Sequence, residues 1–177
     1  MSTEDDGDRR LLVLRHAKSS RDDTSLLDHD RPLSGRGRRA LPRLQRELAA
    51  RDEPIDLVLC SSAVRTRRTL EGIRGALPGE AAVAIEDGLY GASAGELLER
   101  LRAVPASVTG VLLIGHNPGV ELLVQRLAGG GAPQALTQLA TKYPTGALAT
   151  LHVPSRWSAL VAGSCHLEDL VVPRALG

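Results

Sequence analysis

The chain has no phenylalanine, one tryptophan, two tyrosines, one methionine and two cysteines in 177 residues. So few aromatics leave little on which bases can stack, and a formal net charge of +1 gives no basic field, so nucleic-acid binding is set aside. Cys60 and Cys165 are too few for a disulfide scaffold and lack metal-ligand spacing; they read as buried thiols in a reducing compartment. No apolar run approaches the roughly 18 residues of a membrane span, and the acidic start "MSTEDDGDRR" lacks the apolar segment of a secretory signal. The expectation is a cytoplasmic protein without membrane contact.

With hydrophobic residues at 42%, the core must be built from Leu, Val, Ile and Ala. This length suits one domain, expected over residues 10–177 after a flexible tail of residues 1–9. Short apolar runs recur: "RLLVLRH", "IDLVLCSS", "AAVAIED", "TGVLLIGH", "GALATLHV" and "ALVAGSCH". Such runs, bounded by turn residues, suit strands covered on both faces. Helical patterns lie between them, over about 34–51, 62–77, 94–104 and 117–128, with Ser34, Ser62, Ser93 and Asn117 as expected caps. Alternating strands and helices predict an α/β, three-layer α/β/α sandwich around a largely parallel central sheet. Pro42 predicts a kink or late start in the first helix, the polar stretch 22–32 a loop, and "AGGGAP" (128–133) a flexible turn.

Three strand ends carry unusual residues. Arg15 and His16 follow "LLVL", His116 follows "VLLIG", and Arg65 comes shortly after "DLVLCSS". In a parallel sheet, loops beyond the carboxyl ends of the strands converge on one crevice, so cations from separate segments are expected at one rim. Arg65 in the first turn of a helix sits against the positive end of the helix dipole, at a cost of about 0.3–1 kcal/mol. These motifs contain no carboxylate to relieve the crowding. An oxyanion would relieve it, and arginine's planar fork matches phosphate oxygens. At "GHNPG", Asn117 is expected to cap a helix that aims backbone donors at the same rim.

The two histidines are far apart in sequence, with no compact His/Asp/Glu ligand set beside them, so no metal or other cofactor is expected. The Gly-rich lysine loop of nucleotide-binding ATPases is absent as well. A neutral imidazole is a competent nucleophile near pH 7, and neighbouring arginines favour that neutral form. His16 can then attack phosphorus while Arg15, Arg65 and His116 stabilise the equatorial oxygens.

The blocks "LRHAKSS", "SSAVRTRRT" and "IGHNPG" resemble the signatures of the histidine phosphatase superfamily, in its phosphoglycerate-mutase-like branch. The segments "DHDRPLSGRG", "LYGASAGELL" and "PTGALATL" are most similar to the SixA type of phosphohistidine phosphatase; the resemblance runs from about residue 11 to residue 152. It implies a phosphoglycerate-mutase-like fold, His16 as the phosphorylated nucleophile, Arg15 and Arg65 as the phosphate clamp, and His116 as the second histidine. It also implies that Arg31 faces the pocket and that Lys18 and Ser19 lie on the loop that meets phosphate. The chain departs from the family pattern in two places. Ala17 stands where many members have glycine. Where mutases carry a glutamate shortly before a Tyr-Gly pair, "EDGLYGA" offers Asp87, with Glu86 beside it, as a surrogate acid.

A site short of a strong acid favours phosphohistidine, whose imidazole leaves more readily than an alkoxide. The expected partner is therefore a phosphorylated protein histidine or a small phosphorylated substrate, with phosphate or another oxyanion in the pocket. Two other readings stay open: a small-molecule phosphomonoesterase of the same superfamily, and a non-catalytic phosphate-binding adaptor. His29, His152, His166 and the aspartates of the 22–30 loop are given no role.

Overall fold

The computed structural model describes residues 7–173. Residues 1–6 of the expected tail and the last four residues lie outside that range. Strand β1 (Arg9–Arg15) begins with a buried arginine whose guanidinium donates to the carbonyls of Gly7, Ala106 and Ser155. Then follow α1 (Gly35–Ala49), β2 (Leu57–Ser61), α2 (Val64–Ile73), β3 (Ala82–Glu86), α3 (Ala94–Arg102), β4 (Gly110–Gly115), α4 (Gly119–Leu127), β5 (Ala128–Gly131), α5 (Pro133–Thr141), β6 (Leu148–Val153) and β7 (Cys165–Val171).

The seven strands form one sheet in the order β3-β2-β4-β1-β6-β7-β5. The pairs β3/β2, β2/β4, β4/β1 and β7/β5 are parallel, while β6 runs antiparallel to both neighbours. Because side chains alternate along a strand, β1 feeds two cores. Leu11 and Val13 join α3, α4 and α5 on one face, and Leu12 and Leu14 join α1 and α2 on the other. This is the expected three-layer sandwich with a largely parallel sheet. Cys60 and Cys165 are buried and unpaired. Among the described residues no helix is long and apolar enough to cross a membrane.

Local expectations fail where neighbours decide. Helix α1 starts at Gly35, capped by Ser34, and is one helix through Pro42, so the late start does not occur. The "AGGGAP" turn is partly strand: Gly130 and Gly131 pair with β7, and a Cβ at Gly129 or Gly131 would meet the backbone oxygen of Gly163 at 2.0 Å or of Leu167 at 2.3 Å. Helix α5, with Pro133 in its first turn, has no counterpart in the periodicity reading. The run "ALVAGSCH" is mostly turn, and β7 begins only at Cys165. Strand β3 is an edge rather than a covered strand, with Ile85 half exposed at 51%.

Candidate active site

The register of β1 on β4 pairs Arg15 with Gly115, so His16 and His116 leave adjacent strand ends side by side. The His16 N–H donates to the Gly115 carbonyl at 3.1 Å, and the two imidazole centroids are 5.2 Å apart. Strand β2, parallel to β4, delivers α2 to the same rim and with it Arg65. His16 and Arg65 are both buried.

The loop holding His16 is tied on every side. Gly146, in the left-handed region at φ 76°, donates its N–H to the carbonyls of both Arg15 and His16 at 3.0 Å. The Ala17 N–H donates to Thr69 Oγ1, which in turn donates to the Arg65 carbonyl at 2.7 Å. One buried hydroxyl thereby couples the His16 loop to the helix that carries Arg65. Gly37 lies so close that a Cβ there would sit 2.1 Å from the Lys18 carbonyl oxygen, and Ser34 donates its N–H to that same carbonyl.

His16 Nδ1 lies 2.7 Å from the Ala17 carbonyl. A carbonyl can only accept, so Nδ1 carries the proton and Nε2 keeps the lone pair. Burial, then Arg65, Arg15 and Arg31, lower the His16 pKa to about 4; burial, then Arg65 and His16, lower that of His116 to about 3. Both rings are neutral at pH 7. His116 Nε2 is 2.8 Å from Ser61 Oγ, and its Nδ1 is buried without a hydrogen-bond partner among the described residues.

A cavity of ≈ 620 Å³ opens over these rings. Of the residues singled out from sequence, Arg15, His16, Arg65 and His116 line it, as do Lys18, Ser19, Arg31 and Asn117. Arg15 donates through Nη1 to the Tyr143 carbonyl, while its Nε is buried and has no partner among the described residues. Arg31 reaches Ser19 Oγ and the Ser20 carbonyl. Asn117 does not cap α4, whose N-cap is Pro118; its amide donates instead to the Tyr143 carbonyl and Glu121. Ser62 likewise does not cap α2, whose N-cap is Ala63.

Asp87 is not among the residues lining this cavity; it is exposed and opens a short 3₁₀ turn. Its neighbour Glu86 is held by the Arg100 guanidinium at 2.8–3.0 Å. The carboxylate that does reach the arginines is Asp28, from the loop expected to be merely hydrated. It accepts from Arg65 Nη2 at 3.0 Å, Arg31 Nη1 at 2.9 Å and the Tyr90 hydroxyl at 2.6 Å. The Tyr90 hydrogen bond, then Arg65 and Arg31, hold its pKa down to about 2. The expected crowding of cations without a carboxylate is therefore relieved within the chain. A sequence signal existed, since Asp28 and Arg31 are three apart. Tyr90 also stands edge-on to His116 at 5.5 Å and to His29 at 4.8 Å. His29 Nε2 is 2.9 Å from Ser62 Oγ, so it supports the ring that supports Asp28.

The chain as a whole is similar to known proteins. Residues 11–107 match the histidine phosphatase superfamily (branch 1). An uncharacterised Mycobacterium tuberculosis protein is 36% identical over 165 residues, covering 91% of this chain and all of its own. A candidate phosphohistidine phosphatase SixA from Nakamurella multipartitia superposes with a TM-score of 0.79 at 30% identity, covering 94% of this chain and 97% of that one. The fold extends to a Plasmodium falciparum phosphoglycerate mutase, with a TM-score of 0.61 at 12% identity and 94% of each chain covered. With the match spanning more than half of its length and a relative alike from end to end, this chain belongs to the histidine phosphatase superfamily.

Proposed function

We propose that this protein is a metal-independent phosphatase that hydrolyses phosphohistidine, or related phosphorylated substrates, through a covalent phosphohistidine intermediate on His16. The observation that carries the reading is the pair of neutral imidazoles, 5.2 Å apart, facing one cavity with Arg15, Arg31 and Arg65. The likeness to the Nakamurella SixA supports the choice of substrate class.

In the first step His16 Nε2 gives its lone pair to phosphorus. A new N–P bond forms as the bond to the substrate imidazole breaks, and that imidazole leaves with the electron pair and takes up a proton from solvent. Water then attacks the phosphorus and releases a proton to solvent, the His16 N–P bond breaks with its electron pair returning to Nε2, and inorganic phosphate departs with the water's oxygen. Arg15, Arg65 and His116 stabilise the charge spread over the equatorial oxygens, the dominant requirement of a loose phosphoryl-transfer transition state. Arg31, steadied by Ser19, and Lys18 meet the anion at the mouth, and Asn117 holds the loop after His116.

The carboxylates favour phosphoramidates over esters. Asp28, ionised near neutrality, has no proton to give; Glu86 is engaged by Arg100, Asp87 is outside the cavity, and Asp22, the other carboxylate lining it, is a solvent-exposed side chain. An alkoxide leaving group needs such a proton, a contribution of about 10²–10⁴-fold. Imidazole does not need it to the same degree.

The test compares a phosphohistidine protein with sugar and nucleotide monophosphates, using wild type, His16→Ala and Asp87→Asn. Faster release from phosphohistidine, acid-labile label on trapped wild type and none on His16→Ala, and unchanged rates for Asp87→Asn are expected. Turnover retained by His16→Ala overturns the mechanism. Faster turnover of the monoesters points instead to a small-molecule phosphomonoesterase, and tight phosphopeptide binding without phosphate release to a binding adaptor.

A further inference from the structure

Beside the catalytic cavity runs a second groove, ≈ 820 Å³ in volume, and the two share Lys18 and Thr145 as a common wall. Its charged lining residues are all cationic: Lys18, Arg36, Arg39, Arg43 and Lys142. Elsewhere several arginines of this nearly neutral chain have carboxylate partners, as Arg10, Arg51, Arg65, Arg68 and Arg100 do. Among the described residues none of the five groove cations has one. Arg36, Arg39 and Arg43 follow helical spacing along one side of α1, and Gly37 lets that helix approach the Lys18 carbonyl closely. The stripe is therefore held directly against the nucleophile loop.

We propose that this groove docks an acidic polypeptide segment that flanks the phosphorylated residue of a protein substrate. The proposal rests on the phosphatase reading given above and adds a partner to it. Charge complementarity argues for an acidic occupant: five unpaired cations side by side repel one another, and an acidic segment removes that repulsion. Two features favour a polypeptide over a small polyanion. The groove floor carries apolar surface from Ala40, Leu44, Pro144 and Val172, which an inorganic polyphosphate has nothing to cover. The stripe from Arg36 to Arg43 also rises about 10 Å along the helix, in addition to the distance to the catalytic cavity. A lipid surface is disfavoured because the cations line a concavity.

The probes are two histidine peptides, one with Asp/Glu flanks and one with Asn/Gln flanks, each in phosphorylated and unphosphorylated form, together with inorganic phosphoramidate. The variants are Arg36→Gln/Arg39→Gln/Arg43→Gln and, as a milder change, Lys142→Gln. Wild type should prefer the acidic phosphopeptide by about ten-fold or more in kcat/KM, a preference that shrinks with salt as rim charges are screened. The triple variant should bring the two peptides close to parity while phosphoramidate turnover stays unchanged, with Lys142→Gln in between. Equal kcat/KM for the two peptides in wild type, or a preference that survives the triple change, overturns the proposal. Fluorescence anisotropy with the unphosphorylated acidic peptide separates the groove from the chemistry. Even if no phosphohistidine is hydrolysed, salt-sensitive binding lost in the triple variant supports the groove. Absence of binding, or binding of tripolyphosphate or anionic vesicles in its place, overturns it.

Discussion

Lowering the pH from 7 to 5 tests the electrostatics around His16 directly. An unperturbed histidine, with pKa about 6.5, is about 97% protonated at pH 5. His16, lowered to about 4 by burial and then by Arg65, Arg15 and Arg31, should remain about 90% neutral there. Its Nε2 lone pair then survives an acidification that protonates an ordinary imidazole. The same difference costs stability. A folded-state pKa below the unfolded value means that the unfolded chain binds the extra proton, so the contribution is complete above about pH 6.5 and is lost as the pH falls towards 4. Between pH 7 and 5 the loss from His16 comes to about 2 kcal/mol. Two measurements check this. Imidazole ¹⁵N NMR should give a His16 midpoint near 4 with the proton on Nδ1 throughout the neutral range. Urea unfolding at a series of pH values should show a steeper loss for wild type than for His16→Ala, by about 2 kcal/mol over that interval. A midpoint near 6.5, a proton on Nε2, or identical pH dependence of the two proteins would refute the reasoning.

Gly37→Ala should destabilise the fold by about 1–3 kcal/mol, the usual cost of overpacking, because its Cβ meets the Lys18 carbonyl oxygen at 2.1 Å; thermal unfolding reads the loss, and turnover should fall as the His16 loop shifts. Thr69→Val keeps the shape but strips the Ala17 N–H and the Arg65 carbonyl of their shared hydroxyl. About 1–3 kcal/mol should be lost for the orphaned buried donor, with a lower rate of phosphoenzyme formation in rapid quench, and an unchanged Tm would contradict that bridge.

Much of the site was legible because its residues sit immediately after apolar runs. Arg15, His16 and His116 follow the buried segments of β1 and β4, and a run of that kind announces both the strand and the point where it reaches the rim. Arg65 was legible for the same reason, one short turn beyond β2. Where the sequence reading failed, a partner rather than the local segment made the decision. The pairing of β5 is one case: glycines 129–131 have flexible-turn chemistry, yet backbone oxygens of Gly163 and Leu167 lie where side chains of residues 129 and 131 would otherwise stand. The carboxylate is another. Asp87 stands near the Tyr-Gly pair in sequence, but Asp28 occupies the site, brought there by the 3₁₀ turn over Asp28–Asp30 and by Tyr90 and Arg65.

By itself, the sequence determined the layered α/β plan and the identity of the groups that meet at the rim, because hydrophobic alternation and strand-end position are local properties of the chain. Only the tertiary structure decided that residues 16 and 116 are neighbours, through the register of β1 on β4, and that both rings are neutral, through burial beside Arg65 and Arg15. It also set Arg36, Arg39 and Arg43 of α1, which have no carboxylate partner among the described residues, along the groove beside the cavity that holds those rings. Proximity, desolvation and unbalanced charge arise between segments distant in sequence, so no window of residues carries them.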